Sequence, residues 1–113
     1  MSVKNIVALE EVSFDLDIGR SFYEKQSIGL GDYFRDSILS DIESLWLYRG
    51  IHIKMYNLYR LLFKGFPYGI YYEFNYNITT IIAILDLRLN PKNIIEFIKQ
   101  RKKGFSGENY ENR

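Results

Sequence analysis

Three strand-like segments between residues 58 and 87 constrain the fold more than any other part of the sequence. They are Leu58 to Lys64, Tyr68 to Phe74 and Ile78 to Leu87, and the connections "GFP" and "NYN" between them are short. Pro67 has no N–H to donate, so it is tolerated at the start of a strand but not in its middle. The sequence therefore predicts an antiparallel meander.

The first half of the chain predicts one strand and a pair of helices. Val3 to Leu9 is short and rich in β-branched residues, as strands are. Apolar residues then recur at three- and four-residue spacing, which predicts a helix from Ser13, its N-cap, to Gln26. A glycine turn in "SIGLGDYF" leads to a second amphipathic helix from Leu30 to Leu47. Because the turn is short, the two helices should form an antiparallel hairpin.

The remaining segments complete an α+β order of strand, helix, helix, three strands and short helix. The connector "YRGIHIKMYN" has a weak pattern and is predicted to be irregular. Asn90 is the predicted N-cap of the last helix, with Pro91 at its first position. We expect a single domain over residues 1–103, with the helices on one face of the sheet, and a polar, flexible tail over residues 104–113.

Composition excludes several kinds of chemistry. Cysteine is absent and histidine occurs once, which excludes disulfides, thiolate catalysis and Cys-based zinc sites and argues against a His-based metal site. No window holds the roughly 18 apolar residues of a membrane span, and the N-terminus lacks the features of a signal peptide, so we expect a cytoplasmic protein. Residues 51–113 carry ten basic and five acidic side chains, so a polyanion or acidic partner would prefer this half.

Three motifs occur in order along the chain: "GLGDYF", "YRLLFKGFPYGIYYEF" and "IIAILDLRLNP". Together they resemble the RelE/ParE superfamily of toxins from bacterial type II toxin–antitoxin modules, which includes plasmid stabilisation proteins. The resemblance covers roughly residues 4–95. It implies a β-α-α-β-β-β(-α) fold, with a helical hairpin packed on a largely antiparallel twisted sheet. It also implies a cognate antitoxin that neutralises the protein, and neither a metal nor an organic cofactor.

The resemblance leaves two activities open, because RelE-like members cleave messenger RNA at the ribosome whereas ParE-like members inhibit DNA gyrase. A metal-independent ribonuclease would use Arg60, Lys64 and Arg88, of which the first two share parity on one strand and should face one side. No tyrosine or histidine lies between Arg88 and the tail, where a ribonuclease member more often has its acid or base. We therefore favour a ParE-like gyrase poison that acts by binding. A degenerate member that retains only antitoxin binding is a third reading.

Six residues are candidate contacts for the target or the antitoxin, and all except Lys54 also have a plainer interpretation. Arg60 and Lys64 could be solvent-facing strand charges, Arg88 could pair with Asp86, and the two tyrosines could be sheet-packing residues on opposite faces. His52 is interpreted as an ordinary surface histidine and Trp46 as a core or hairpin-packing residue. The six candidates are Lys54, Arg60, Lys64, Tyr71, Tyr72 and Arg88.

Overall fold

The computed structural model describes the backbone of residues 5–111 and the side chains of residues 5–102. Its elements follow the predicted order with one added strand, β2. They are β1 (Ile6–Ala8), α1 (Glu11–Gln26), α2 (Leu30–Tyr48), β2 (Ile53–Met55), β3 (Leu58–Leu62), β4 (Tyr68–Asn75), β5 (Ile78–Asp86) and α3 (Pro91–Glu111).

The predicted bounds differ from these at both ends of the chain. The predicted first strand began at Val3, which lies outside the described residues. Helix α1 begins at Glu11, so Ser13 is not its N-cap; the Ser13 hydroxyl instead donates to the Glu10 carbonyl at 3.0 Å. Helix α3 continues to Glu111, past residue 103 where a tail was expected. The flexibility of residues 104–113 stays a prediction.

The strands form one mixed sheet in the order β1-β5-β4-β3-β2. The pairs β2–β3, β3–β4 and β4–β5 are antiparallel, as the predicted meander requires, and β1 runs parallel to β5. The register of β4 and β5 shifts at one point, because Tyr71 pairs with Ala83 whereas Tyr72 pairs with Ile81. Ile82 is therefore the extra residue of a β-bulge.

Strand β2 lies within the connector that we predicted to be irregular, so that prediction was wrong. β2 pairs with β3 through a two-residue turn at Tyr56 and Asn57, since Met55 is the partner of Leu58. Both turn residues have positive φ, 57° and 66°, as a type I′ hairpin turn requires. Asparagine adopts this conformation readily but tyrosine does not. Tyr56 thus concealed a turn that a glycine or asparagine at its position would have revealed.

The sheet is covered on both faces, which corrects the expectation that the helices lie on one. Helices α1 and α2 pack on the first face, where the core includes Phe34, Ile38 and Tyr72. Helix α3 packs on the second face, where Ile94 and Ile98 meet residues of β3, β4 and β5. The alternation of side chains along the central strands supplies both cores. The residues of the second core are Leu58, Tyr71, Ile82, Ala83, Leu85, Ile94 and Ile98.

The helical hairpin depends on close contact between α1 and the start of α2. A Cβ on Gly31 would stand 2.5 Å from the Arg20 carbonyl oxygen, so a larger residue cannot fit without moving the backbone. The Glu24 carboxylate accepts hydrogen bonds from the N–H groups of Gly29 and Gly31, at 3.0 and 2.9 Å. These donors belong to the N-terminus of α2, where backbone N–H groups lack helical partners and a negative charge is stabilising.

Replacing Gly31 with alanine should destabilise the fold, because the added Cβ would push α1 and α2 apart. We expect Gly31→Ala to lower the free energy of unfolding by about 1–3 kcal/mol, measured by urea denaturation. Ser21→Ala, at an exposed position of α1, is the control and should leave the unfolding midpoint near that of the parent. Equal midpoints for Gly31→Ala and the parent would contradict the tight packing.

Candidate functional site

The predicted cationic residues do not form one site. Arg60 pairs with Tyr71 across β3 and β4, which places both side chains on the sheet face that α3 covers. The aliphatic part of the Arg60 side chain lies beside Gly69. Its Cδ is 3.3 Å from the position that a Cβ on residue 69 would occupy. Its Nε is buried and has no hydrogen-bond partner among the described residues. Arg60 is therefore half-buried and differs from a simple solvent-facing charge.

The parity argument does not extend to Lys64. Strand β3 ends at Leu62, so Lys64 lies in the bend that follows and no longer obeys the alternation of the strand. Its charge acts on Asp41 of α2, where it helps to offset the rise in the pKa of that carboxyl caused by burial. Lys64 is thus close enough to α2 for its charge to be felt there. Lys54 lies on the sheet face that α2 covers, with its Nζ 5.1 Å from the centre of the Tyr59 ring.

Arg88 is tied to a neighbouring carboxylate, as its plainer interpretation proposed. Its Nε and Nη2 donate to the two oxygens of Asp86, at 2.9 and 2.7 Å. These hydrogen bonds are the main reason that the pKa of Asp86 is lowered and that of Arg88 is raised. The guanidinium also lies over the Phe22 ring of α1, 5.4 Å from its centre. Arg88 remains about half exposed, so it can contact a partner without leaving Asp86.

Tyr71 and Tyr72 do point to opposite faces, but neither reaches the surface. Their exposed fractions are 1% and 0%, because α3 covers the face of Tyr71 and the helical hairpin covers the face of Tyr72. Both are core residues of the described chain, as their plainer interpretation proposed. Trp46, interpreted as a core or hairpin-packing residue, is 51% exposed.

His52 was dismissed as an ordinary surface residue, but the structure gives it a specific partner. Its Nδ1 lies 2.5 Å from the hydroxyl of Tyr72, which also accepts a hydrogen bond from the Gly50 N–H at 2.8 Å. Burial lowers the pKa of His52, and the nearby Asp41 opposes that shift. Nothing local in the sequence reveals this contact, since His52 and Tyr72 are brought together by the pairing of three strands.

A groove of about 570 Å³ runs along β5 between α1 and α3. Its walls are mostly apolar, and several of the side chains on them are large and exposed in the free chain. A volume of this size is typical of binding sites. The exposed apolar residues of the groove are Phe14, Ile18, Phe22, Leu89 and Phe97.

The groove exists because β1 is too short to cover the whole edge of β5. β1 ends at Ala8, which pairs with Ile81, so the edge of β5 beyond Ile81 has no neighbouring strand. Asp15 of α1 and Arg101 of α3 take the place of that strand. The Asp15 carboxylate accepts the Ile84 N–H at 2.9 Å, and Arg101 Nη1 donates to the Ile82 carbonyl at 3.2 Å.

The two side chains also bind one another. Arg101 Nη1 and Nη2 donate to the two oxygens of Asp15, at 2.5 and 2.7 Å, and the side chains are only 11% and 5% exposed. A buried charge needs such a partner. Local sequence patterns do not reveal this contact, because Asp15 and Arg101 are 86 residues apart.

Within the described chain, no three histidine, aspartate or glutamate side chains gather in a way that could hold a metal ion. None of its helices combines the length and apolar character needed to cross a membrane.

Comparison with known proteins identifies the fold. No family model matches the sequence, and no curated protein sequence matches it. Among solved structures, the chain is similar to one from a structure titled "Chromosomal ParDE TA system from P. aeruginosa", with a TM-score of 0.64 and 15% sequence identity. The match covers 74% of this chain and 95% of that chain. The protein therefore has a ParE-like fold, and the predicted RelE/ParE-like architecture is confirmed.

Breaking the buried ion pair should destabilise the protein strongly, because it leaves a charge without a partner at the edge of β5. We expect Asp15→Asn, which keeps the shape and one acceptor, to lower the free energy of unfolding by roughly 3–5 kcal/mol, measured by chemical denaturation. Asp15→Leu combined with Arg101→Leu should cost less than the sum of the two single changes.

The exposed pair of Arg20 and Asp32, joined at 2.7 Å, provides the control. Asp32→Asn should leave stability nearly unchanged, because solvent screens a surface pair. If Asp15→Asn is as mild as Asp32→Asn, the edge of β5 does not depend on the Asp15–Arg101 pair.

Proposed function

We propose that this protein is the toxin component of a type II toxin–antitoxin system, neutralised by a cognate antitoxin, and that it poisons DNA gyrase by binding. The observation that carries the proposal is the ParE-like fold, shared over 95% of the length of a chain from a ParDE system. A fold alone does not fix a function. The arrangement of the cationic residues supplies the second argument.

The dispersed cations favour binding over RNA cleavage. Cleavage through the 2′-hydroxyl needs a base, an acid and cations that converge on one phosphate. Arg60 faces α3, Lys64 lies near α2, and Arg88 is engaged with Asp86 beside α1. Each of the three thus has separate surroundings in the described structure. Lys54, Lys64 and Arg88 are exposed and remain our proposed contacts with the target, whereas Arg60 would offer only part of its guanidinium.

The groove between α1 and α3 is our proposed antitoxin site. It offers large exposed apolar side chains along one open strand edge, the combination that recurs where proteins bind a segment of another chain. The Ile82 carbonyl and the Ile84 N–H already form hydrogen bonds with Arg101 and Asp15. The bound segment would therefore gain affinity mainly from the burial of apolar surface. Both the antitoxin and the target act in the cytoplasm, so we place the protein there.

The target is tested by two assays on the same purified protein. We expect inhibition of gyrase supercoiling with trapping of cleavage complexes, and intact ribosome-bound message in primer extension. Arg88→Ala should weaken gyrase inhibition, because the guanidinium is the exposed cation at the end of β5. Lys25→Ala, at an exposed position on the hairpin, should leave inhibition unchanged.

The other outcomes are equally informative about the target. Message cut at the ribosomal A site would overturn the gyrase proposal in favour of the RelE-like activity. If the protein neither inhibits gyrase nor causes cleavage of the message, but still binds the antitoxin, it is a degenerate member that has retained only antitoxin binding.

The antitoxin site is tested by placing a charge in the groove. Ile18 is 68% exposed, so Ile18→Asp should not disturb folding, but it should weaken binding of the antitoxin encoded beside the gene by at least about tenfold, as loss of an interface anchor does. Ile28→Asp is the matched control, because Ile28 is 96% exposed and lies in the hairpin turn. Calorimetric titration measures both. Equal affinities for Ile18→Asp and Ile28→Asp would place the antitoxin elsewhere.

A further inference from the structure

The hydroxyl of Tyr72 fastens the connection between α2 and β2 to the sheet. It accepts the Gly50 N–H at 2.8 Å and lies 2.5 Å from His52 Nδ1. Tyr72 is fully buried, and its ring meets the His52 ring edge-on with centres 5.6 Å apart. A single buried phenol therefore holds two residues of the segment that leads into β2.

Hydrogen-bond accounting assigns the proton positions. A phenol has one donor and can accept two hydrogen bonds. Gly50 uses one acceptor position, so every group is satisfied when the Tyr72 O–H donates to an unprotonated His52 Nδ1. Burial raises the pKa of Tyr72, so the phenol keeps its proton. Burial also lowers the pKa of His52 below its ordinary value of 6.5, so the imidazole is neutral at pH 7 and carries its proton on Nε2.

We propose that His52 and Tyr72 form a pH-sensitive latch, in which a proton taken up at His52 Nδ1 breaks the hydrogen bond from Tyr72 and releases residues 50–55 from the sheet. Protonated Nδ1 becomes a donor, so it can no longer accept the phenol proton and must share the phenol oxygen with the Gly50 N–H. The phenol proton then loses the acceptor that the described structure gives it, which is costly in a buried site. Opening the segment lets water satisfy both groups.

The structure holds β2 weakly enough for one such contact to matter. β2 has three residues, lies at the edge of the sheet and pairs with β3 alone. Ile53 is 62% exposed, so it contributes little burial. Edge segments with few buried contacts open at the lowest free-energy cost.

The direction of the pH effect follows from the charged groups around His52. Asp41 on α2 favours the imidazolium, but burial opposes it more strongly, so the closed state binds the proton less tightly than the open one. Lys64 acts on Asp41 and reduces the rise in the pKa of that carboxyl. The population of the open state relative to the closed state therefore rises as the pH falls below 6.5. The rise stops once His52 is protonated in the closed state as well.

The latch has a consequence for binding that rests on the proposed function. Lys54 is in the middle of β2 and is a proposed target contact, so release of β2 would make that contact acid-sensitive. The latch itself does not depend on the identity of any partner, and it is tested on the protein alone.

Amide hydrogen exchange of the full chain at pH 7.5 and 5.5 tests the proposal. The protection factors of Gly50 and residues 53–55, which correct for the intrinsic pH dependence of exchange, should fall about tenfold at the lower pH, as expected for loss of one hydrogen bond. The amides of Ile81–Ile84 in β5 should keep their protection. Nitrogen NMR of His52 should show the Nε2–H tautomer at pH 7.5.

Two variants separate the latch from general acid instability. His52→Asn keeps an acceptor and cannot take up the proton, so its protection should be the same at both pH values. Tyr72→Phe removes the hydroxyl and should leave Gly50 unprotected at both. Unchanged protection of Gly50 in the parent protein, an equal loss in His52→Asn, or the Nδ1–H tautomer at pH 7.5 would each overturn the proposal, whether or not Tyr72→Phe folds.

Discussion

The contact on which the rest of the structure depends is the buried pair of Asp15 and Arg101 at the edge of β5. Strand β5 is paired with β1 only as far as Ile81, and an open strand edge attracts other strands. The pair covers this edge with hydrogen bonds to Ile84 and Ile82. Burying two charges costs several kcal/mol for each. Here both oxygens of the Asp15 carboxylate accept hydrogen bonds, and both terminal nitrogens of Arg101 donate them. These bonds offset the cost of burial.

The same pair sets the relative position of the helices. Asp15 belongs to α1 on one face of the sheet and Arg101 to α3 on the other, so the ion pair joins the two layers around the edge of β5. Because the helices are held there by polar groups, the apolar residues beside them stay unpacked and form the groove. The edge contact thus explains the location of the proposed antitoxin site.

The sequence was sufficient for the parts of the fold that depend on local patterns. The stripe of α2 and the three strands of the meander fall close to their predicted positions, because period and turn composition are local signals. β2 was missed because Tyr56 occupies a left-handed turn position. The second face was missed because the pattern of α3 does not say which side of the sheet it covers. Asp15 could not be recognised, because its partner lies 86 residues away.

The candidate site was less predictable, because it depends on distances between elements. Parity along β3 would place Arg60 and Lys64 together, but the strand ends between them at Leu62, so its alternation does not reach Lys64 in the bend. The ring of Tyr71 could meet a partner only on an uncovered sheet face, and α3 covers that face.

One further pattern in α1 bears on function more directly than the cations do. A helix on the surface of a domain needs a single apolar stripe to hold it on the core. The side of α1 that faces the core is formed by Val12, Asp15, Gly19 and Tyr23, and yet Phe14, Ile18 and Phe22 form a second stripe at four-residue spacing. This second stripe is 42–68% exposed and lines the groove. Since the core does not use it, burial against another chain would account for it, and we expect the free protein to self-associate through this surface.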